Sequence, residues 1–274
     1  MELKRLGLEN VDDLREARVK ELKISHVFDF LEQAVNNGTC WGLLLRNDII
    51  CYWIYMEKSF GPLYEKSIIE FYIKEGYRYL GGEILQLVAK QFEPRGIYVC
   101  TDDTFLLSLL LERGYHFDVA DPILLREKKV RITLKENLEF NLISEETFEE
   151  AFKILISEEP ENAGINEEYY LQIKSEICKD TYWTLIREGI VIGVAYWKKQ
   201  RYNNYVAIFP IVQRNYRRRG YGSYMISKLA DYLERNYGYQ PIAYINQFNL
   251  GARKAFEKLG FYTVALNILF RISP

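Results

Sequence analysis

The chain repeats itself, and the repeat limits the fold more than any other feature. Glu112-Arg-Gly-Tyr-His-Phe has a counterpart 146 residues later in Lys258-Leu-Gly-Phe-Tyr-Thr. Ile123-Leu-Leu-Arg has one 145 residues later in Ile268-Leu-Phe-Arg. In each copy an apolar run with helical spacing stops at a glycine and passes into a strand-like run. Two copies of one α/β unit account for this. The length agrees, since 274 residues make nearly two domains at about 150 residues each. The boundary is expected in the polar stretch that begins at Arg126, giving domains 1–130 and 131–274.

In the second half, Glu139–Ile143 reads as a strand, and Ser144 as the N-cap of a helix carrying Phe148, Ala151, Phe152 and Leu155. A further helix is expected over Asn166–Ile177. A hairpin, Tyr182–Arg187 and Ile190–Lys198, turns at Glu188-Gly189, and Tyr205–Val212 is another strand. Then come a helix from Gly220 to Asn236, a strand Pro241–Ile245, a helix Asn249–Leu259, and strands Phe261–Val264 and Asn267–Ile272. The first half offers a weaker version. It has a hairpin Trp41–Arg46/Ile49–Tyr55, a strand Ile68–Ile73, a helix Gly82–Phe92, a strand Ile97–Thr101, a helix Asp103–Glu112 and a strand Ile123–Arg126.

Composition excludes several functions. The net charge is −2, which argues against general binding to nucleic acid or a membrane surface. There are 2 histidines and 4 cysteines, without C-x-x-C or H-E-x-x-H spacing, so no metal is expected. Cys51, Cys100 and Cys178 sit among apolar residues, as buried thiols do; His26 and His116 read as packing or surface residues. No apolar run is long enough for a signal peptide or a bilayer span, and the scattered cysteines suit a reducing cytoplasm.

The segment Ile211-Val-Gln-Arg-Asn-Tyr-Arg-Arg-Arg-Gly-Tyr-Gly-Ser carries chemistry. A strand enters a basic loop, then two glycines one residue apart, then an amphipathic helix. Glycine lets a backbone approach a ligand closely, and the free N–H groups of a helix's first turn favour an anion. Arg217, Arg218 and Arg219 add guanidinium groups suited to phosphate. The pattern describes a pyrophosphate site. It is not a P-loop, because G-x-x-x-x-G-K-[ST] is absent. It is not a dinucleotide fingerprint, because the third glycine position holds Met225.

Arg217-x-x-Gly220-x-Gly222 after Ile211-Val212 resembles the acyl-CoA signature of the GNAT acyltransferase superfamily. Asn249-Leu-Gly-Ala-Arg-Lys-Ala-Phe-Glu-Lys-Leu-Gly-Phe resembles that family's second motif. The resemblance spans residues 138–272 by motif and 8–128 by element order. It implies an α/β (α+β) protein of two tandem GNAT folds, each a mixed, mostly antiparallel twisted sheet flanked by helices. It also implies a site. The strand of Ile211 and Val212 parts from the next strand, and pantetheine pairs with main-chain groups of these two residues. Amides from Arg218 to Ser223, including those of Arg219, Gly220, Tyr221 and Gly222, hold the pyrophosphate of acetyl-CoA or another acyl-CoA. Asn249 bonds a pantetheine amide, with Ala252 and Phe256 lining the same helix. The Val212 N–H polarises the thioester carbonyl for direct attack by a primary amine on a small molecule or peptide. The resemblance implies a monomer or homodimer.

The sequence also departs from the family. Where many members place a proton-donating tyrosine, this chain has Phe256, and where some place a glutamate base it has Val206. Tyr244, Tyr221 and Tyr262 lie in or beside the motifs, and Tyr244 is the candidate proton donor. The first copy has Tyr77-Arg-Tyr-Leu-Gly-Gly-Glu in place of the loop, with Glu83 where an anion belongs and Asp103 in place of Asn249. It is expected to be degenerate, without a working CoA site. The acidic run Glu158-Glu159-Pro160-Glu161 reads as a solvated loop, or as a lure for a cationic amine. Two other functions stay open: an acyl-CoA-binding sensor or scaffold without turnover, and an aminoacyl-tRNA-dependent transferase, which the intact CoA loop and the lack of overall basic charge disfavour.

Overall fold

The computed structural model describes residues 1–22, 37–58, 65–158, 171, 174–175, 180–200 and 203–272. The expected helix over Asn166–Ile177 lies almost wholly outside them, as do His26 and Cys178. Two compact units emerge. One comprises Met1–Pro122, Arg201–Asn203 and Val264–Pro274; the other comprises Ile123–Gln200 and Asn204–Thr263.

In the first unit β1 (Glu2–Arg5), β2 (Thr39–Leu45), β3 (Asp48–Met56) and β4 (Ser67–Ile73) form an antiparallel meander, and β5 (Gly96–Cys100) joins β4 in parallel. Arg46 and Asn47 take positive φ, 50° and 69°, in the two-residue turn whose twist suits a hairpin. Strand β4 is buried at every residue because helices cover both faces. Ile84 and Val88 of α2 (Gly81–Phe92) and Leu110 of α3 (Thr104–Glu112) pack with Trp53 and Ile68. On the opposite face, Leu14 of α1 (Asp12–Glu21) packs with Tyr52 and Ile69.

The second unit repeats the plan. Strands β7 (Leu138–Leu142), β8 (Tyr182–Arg187), β9 (Ile190–Lys199) and β10 (Tyr205–Val212) form the meander, and β11 (Gln240–Tyr244) runs parallel to β10. Helix α4 (Glu145–Glu158) covers one face through Phe148, Phe152 and Leu155, packed with Tyr196 and Ile211. Helix α5 (Tyr221–Tyr237) covers the other, with Met225 and Leu229 on Ile192 and Val206. Helix α6 (Leu250–Glu257) follows β11. The fold is thus the expected mixed α/β type, a mostly antiparallel sheet flanked by helices in each unit.

The last strands are exchanged. Two long strands, β6 (His116–Arg126) and β12 (Phe261–Arg271), each span the division between units. Residues Asn267–Arg271 of β12 close the first unit's sheet beside β5, whereas Ile123–Leu125 of β6 close the second unit's sheet beside β11. The two short strands expected over residues 261–272 are therefore one strand. Strand β1 was not expected, because Glu2-Leu-Lys-Arg offers a single apolar residue and forms a sheet edge.

The first unit buries an ionic cluster. Arg15 of α1 grips Glu70 of β4 with Nε on Oε1 at 3.1 Å and Nη2 on Oε2 at 3.1 Å, and the Tyr52 hydroxyl donates to Oε1 at 2.7 Å. Arg18 lies 3.8 Å from both Glu70 and Asp103. Desolvation alone raises the Glu70 pKa, but the charges of Arg15 and Arg18 and the hydrogen bonds from Arg15 and Tyr52 outweigh it and hold the carboxyl below its ordinary value. Such a group stabilises the fold above its unfolded pKa, and the contribution is lost as pH falls through the lower folded value. We expect Glu70→Gln to lower the unfolding free energy at neutral pH by about 3–5 kcal/mol, because two buried guanidinium groups lose a partner. Urea titrations across the acid range should also show a flatter pH dependence in the variant.

Candidate active site

The parallel pairing of β10 with β11 covers only Tyr205 to Ala207, opposite Gln240 to Ile242. Beyond Ala207, β10 continues to Val212 along β9 while β11 leaves it. The sequence supplies a reason. The Gln213 N–H donates to the Ile192 carbonyl at 3.0 Å, so Gln213 and Ile192 form a bonded pair. Pairs alternate in an antiparallel ladder, and Val212 opposite Gly193 is therefore a non-bonded pair. The N–H and C=O of Val212 face away from β9, into the parting. Pro210 has the same orientation but no N–H to offer β11, so the parallel ladder lacks a donor there. By the same alternation, Ile211 turns its main-chain groups toward β9. Of the two residues expected to engage pantetheine, Val212 faces the parting.

The loop after β10 leads the chain to the α5 N-terminus. Arg218 and Gly220 take positive φ, 63° and 89°. The first helical bond runs from the Tyr224 N–H to the Gly220 carbonyl at 2.9 Å, and no side chain caps the helix. The N–H groups of Tyr221, Gly222 and Ser223 thus point out of the helix end without intrahelical partners. By contrast, Asp103 caps α3 through Leu106 N–H, and Asn249 caps α6 through Ala252 N–H. Gly222 has no conformational need to be glycine. A Cβ there would touch only Val212 Cγ2 at 3.8 Å. Its missing side chain leaves room above the helix end, which suits the close approach of a pyrophosphate. Gly193 is a glycine for an internal reason: a Cβ would come within 2.9 Å of the Ile211 carbonyl oxygen and 3.1 Å of Met225 Cε.

Other expected residues serve partly different ends. Arg217 bends back, with Nε on the Val212 carbonyl at 2.9 Å and Nη2 on Glu158 at 2.5 Å. Glu158 also accepts from the Arg214 N–H at 2.8 Å, fastening the end of α4 to the loop. The first residue of the acidic run is therefore a structural brace; Glu159 and Glu161 lie outside the described residues. Arg219 lies over the Tyr216 ring. The Tyr221 side chain is buried, with its hydroxyl on Glu136 at 2.6 Å, and burial together with this bond raises its pKa. Only its main chain is open to a ligand. Asn249 spends Oδ1 on its capping bond and keeps its amide group for donation. Phe256 is 1% exposed and packs edge-on against Phe261 in the core, and Val206 is likewise buried. Tyr244 is half-buried on β11, with its hydroxyl accepting from the Gln200 side chain. Gln200 is not marked by any motif, and Glu158 reads in the sequence as loop or lure rather than brace, because each acquires its role through pairing with distant chain.

The first unit has the same framework with different side chains at the helix start. Pairing of β4 with β5 also ends early, at Ile68 opposite Ile97. A Cβ on Gly82 would collide with the Arg113 guanidinium at 2.1 Å, and one on Gly81 would meet Phe105 at 2.9 Å. Arg18 reaches Asp103, the counterpart of Asn249, and Glu21 binds the Tyr72 hydroxyl and Arg78. Side chains thus crowd the two glycines of α2, beside a cavity of about 350 Å³ lined by Arg78, Gly82, Phe105 and Arg113. Burial raises the Cys40 pKa to about 12, with Glu70 adding to it, and raises Cys51 and Cys100 as well, so these thiols stay protonated. Among the described residues no group of His, Cys, Asp or Glu could hold a metal, and no helix is long and apolar enough to cross a membrane.

The profile of the acetyltransferase (GNAT) family matches residues 148–261, and that of an acetyltransferase (GNAT) domain matches residues 7–120. The chain belongs to the GNAT superfamily, as a tandem protein of two copies. Among solved structures, a GNAT-family acetyltransferase from Colwellia psychrerythraea aligns with a TM-score of 0.85 at 14% identity, covering 100% of both chains. A GCN5-related N-acetyltransferase from Sphaerobacter thermophilus aligns at 0.68 and 14% identity, covering 98% of this chain and 94% of its own. A tandem GNAT protein from the clavulanic acid biosynthesis pathway aligns at 0.66 and 11% identity, covering 100% of this chain and 99% of its own. At these identities the likeness concerns the fold. No curated protein matches the chain in sequence.

The two glycines of this GNAT site give opposite expectations for stability without ligand. Gly222→Ala should leave the protein as stable or about 0.5–1 kcal/mol more so, since alanine suits a helix better where space exists. Gly193→Ala should cost about 1–3 kcal/mol by overpacking. Thermal unfolding of the two variants checks both.

Proposed function

We propose that the second repeat, residues 131–274, binds acetyl-CoA or another acyl-CoA and transfers the acyl group to a primary amine of a small molecule or peptide in the cytoplasm. The observation that carries this reading is the uncapped end of α5, kept open by Gly222, beside the parting into which Val212 points its N–H. The amides from Arg218 to Ser223 hold the pyrophosphate, with Arg218 and Arg219 adding charge. Val212 lies along the path of the pantetheine arm, and its N–H donates a hydrogen bond to the thioester oxygen as negative charge develops there. Asn249 donates from its amide group. The attacking amine arrives neutral, and the Tyr244 hydroxyl, fixed by Gln200, supplies a proton to the departing thiolate. Phe256 packs behind the site. The first repeat, residues 1–130, has no CoA site of its own.

Acetyl-CoA at 100 times its dissociation constant should stabilise the protein by about 2.7 kcal/mol. Gly222→Glu should abolish that shift, because a carboxylate would stand where phosphate belongs. Thiol release against a panel of amines should reveal turnover, and Tyr244→Phe should slow it by roughly 100-fold or more, the usual contribution of a positioned acid. A melting temperature unmoved by acetyl-CoA would overturn the reading. Phe256 and Val206, which can neither give nor take a proton, favour one other reading, an acyl-CoA-binding sensor or scaffold, for which binding without turnover is the outcome.

A further inference from the structure

The second unit carries a row of aromatic rings across its sheet. Tyr182 on β8 pairs with Tyr196 on β9, and Tyr196 with Phe209 on β10. The rings stack, Tyr182 on Tyr196 with centroids 5.2 Å apart and Tyr196 on Phe209 at 4.8 Å with planes only 16° from parallel. Tyr182 and Tyr196 are buried beneath α4, whereas Phe209 is partly exposed. The row then meets the parting. Ala207 and Ile242 form the last pair between β10 and β11, and Phe209 and Tyr244 each lie two residues further on. Ala243 and Ile245 pack in the cluster containing Ile226 and Phe256, so strand alternation turns Tyr244 to the Phe209 face. One face of the Phe209 ring rests on Tyr196. Among the described residues no second ring contacts Phe209, which is partly exposed where β11 leaves β10. Val212, whose N–H faces the same parting, is three residues along β10.

We infer that this partly exposed end of the aromatic row selects the acceptor, and that the acceptor is an amine carried on a flat aromatic or heteroaromatic ring, seated on Phe209. The inference rests on the acyl-transfer reading above. A flat ring completes a stack whose first three members are already held rigid, so little side-chain freedom is lost on binding. A cation fits less well: Lys198, on the same face of β9 as Tyr196, already holds its ammonium 5.9 Å from the Tyr196 ring. Phe209 is thus a specificity residue; it moves no proton.

The test pairs each aromatic amine with its saturated analogue, phenethylamine against 2-cyclohexylethylamine and tryptamine against its fully reduced counterpart. Thiol release from acetyl-CoA gives kcat/KM for each, and the thermal shift by acetyl-CoA is measured alongside. The aromatic member should be preferred by about 3- to 10-fold, the range of an aromatic pair beyond its buried area. Phe209→Leu should bring that ratio toward one, and Phe209→Trp should keep it, while both variants retain the acetyl-CoA shift that reports an intact fold. A ratio near one in the wild-type protein, or an unchanged ratio in Phe209→Leu, overturns this inference and leaves acyl transfer standing. Loss of the acetyl-CoA shift in the wild-type protein overturns both.

Discussion

The site depends on a hydrogen-bond ladder that stops early. Three residue pairs join β10 to β11, and then β10 presents Pro210, which has no donor, where the next rung would form. Closing the ladder would bury polar groups without partners, whereas parting leaves Val212 facing outward with an unused N–H. The same strand is held straight on its other side by seven consecutive pairs with β9. A rigid edge with an unsatisfied backbone group results, and the α5 N-terminus offers a second set a few residues later. Both sets of groups belong to the main chain, which explains how a protein poor in histidine can be equipped for acyl transfer.

The two units build one framework with different surroundings at the helix start. Both part the equivalent strands, and both open a helix with glycine. In the second unit Gly222 borders open space; in the first Arg113 and Phe105 crowd the equivalent glycines, Arg18 reaches Asp103, and Arg78 reaches Glu21. A first-turn glycine is therefore informative only together with its surroundings. The buried Arg15–Glu70–Tyr52 cluster ties α1 to the first unit's sheet.

Much of this was legible in the sequence. Repeat, element order and glycine loop could be read because periodicity, capping and positive-φ positions are local properties. The Asn249 cap was visible for the same reason. The crowding at the first unit's helix start had a local sign too, Arg113 where the second repeat has Leu259. Other features required register. That Val212 rather than Ile211 faces the parting follows from which residue pairs with Ile192, and the aromatic row exists only once three strands align. The inward turn of Arg217 depends on Glu158, brought there by a helix packed on the far side of the loop. The exchange of final strands was invisible, since Ile123-Leu-Leu-Arg and Ile268-Leu-Phe-Arg suit either sheet equally well.

That exchange has a consequence for synthesis of the chain. Strand β5 ends at Cys100, but its neighbour, Asn267–Arg271, is made only after the whole second unit. At roughly 5–20 residues per second, the first unit waits on the order of ten seconds with an unpaired edge. An edge in that state is a template for pairing with other chains. The second unit receives its borrowed strand before its own sheet exists, so it can close as soon as β11 appears. The nascent protein therefore completes itself in reverse order: the unit translated second can be whole first.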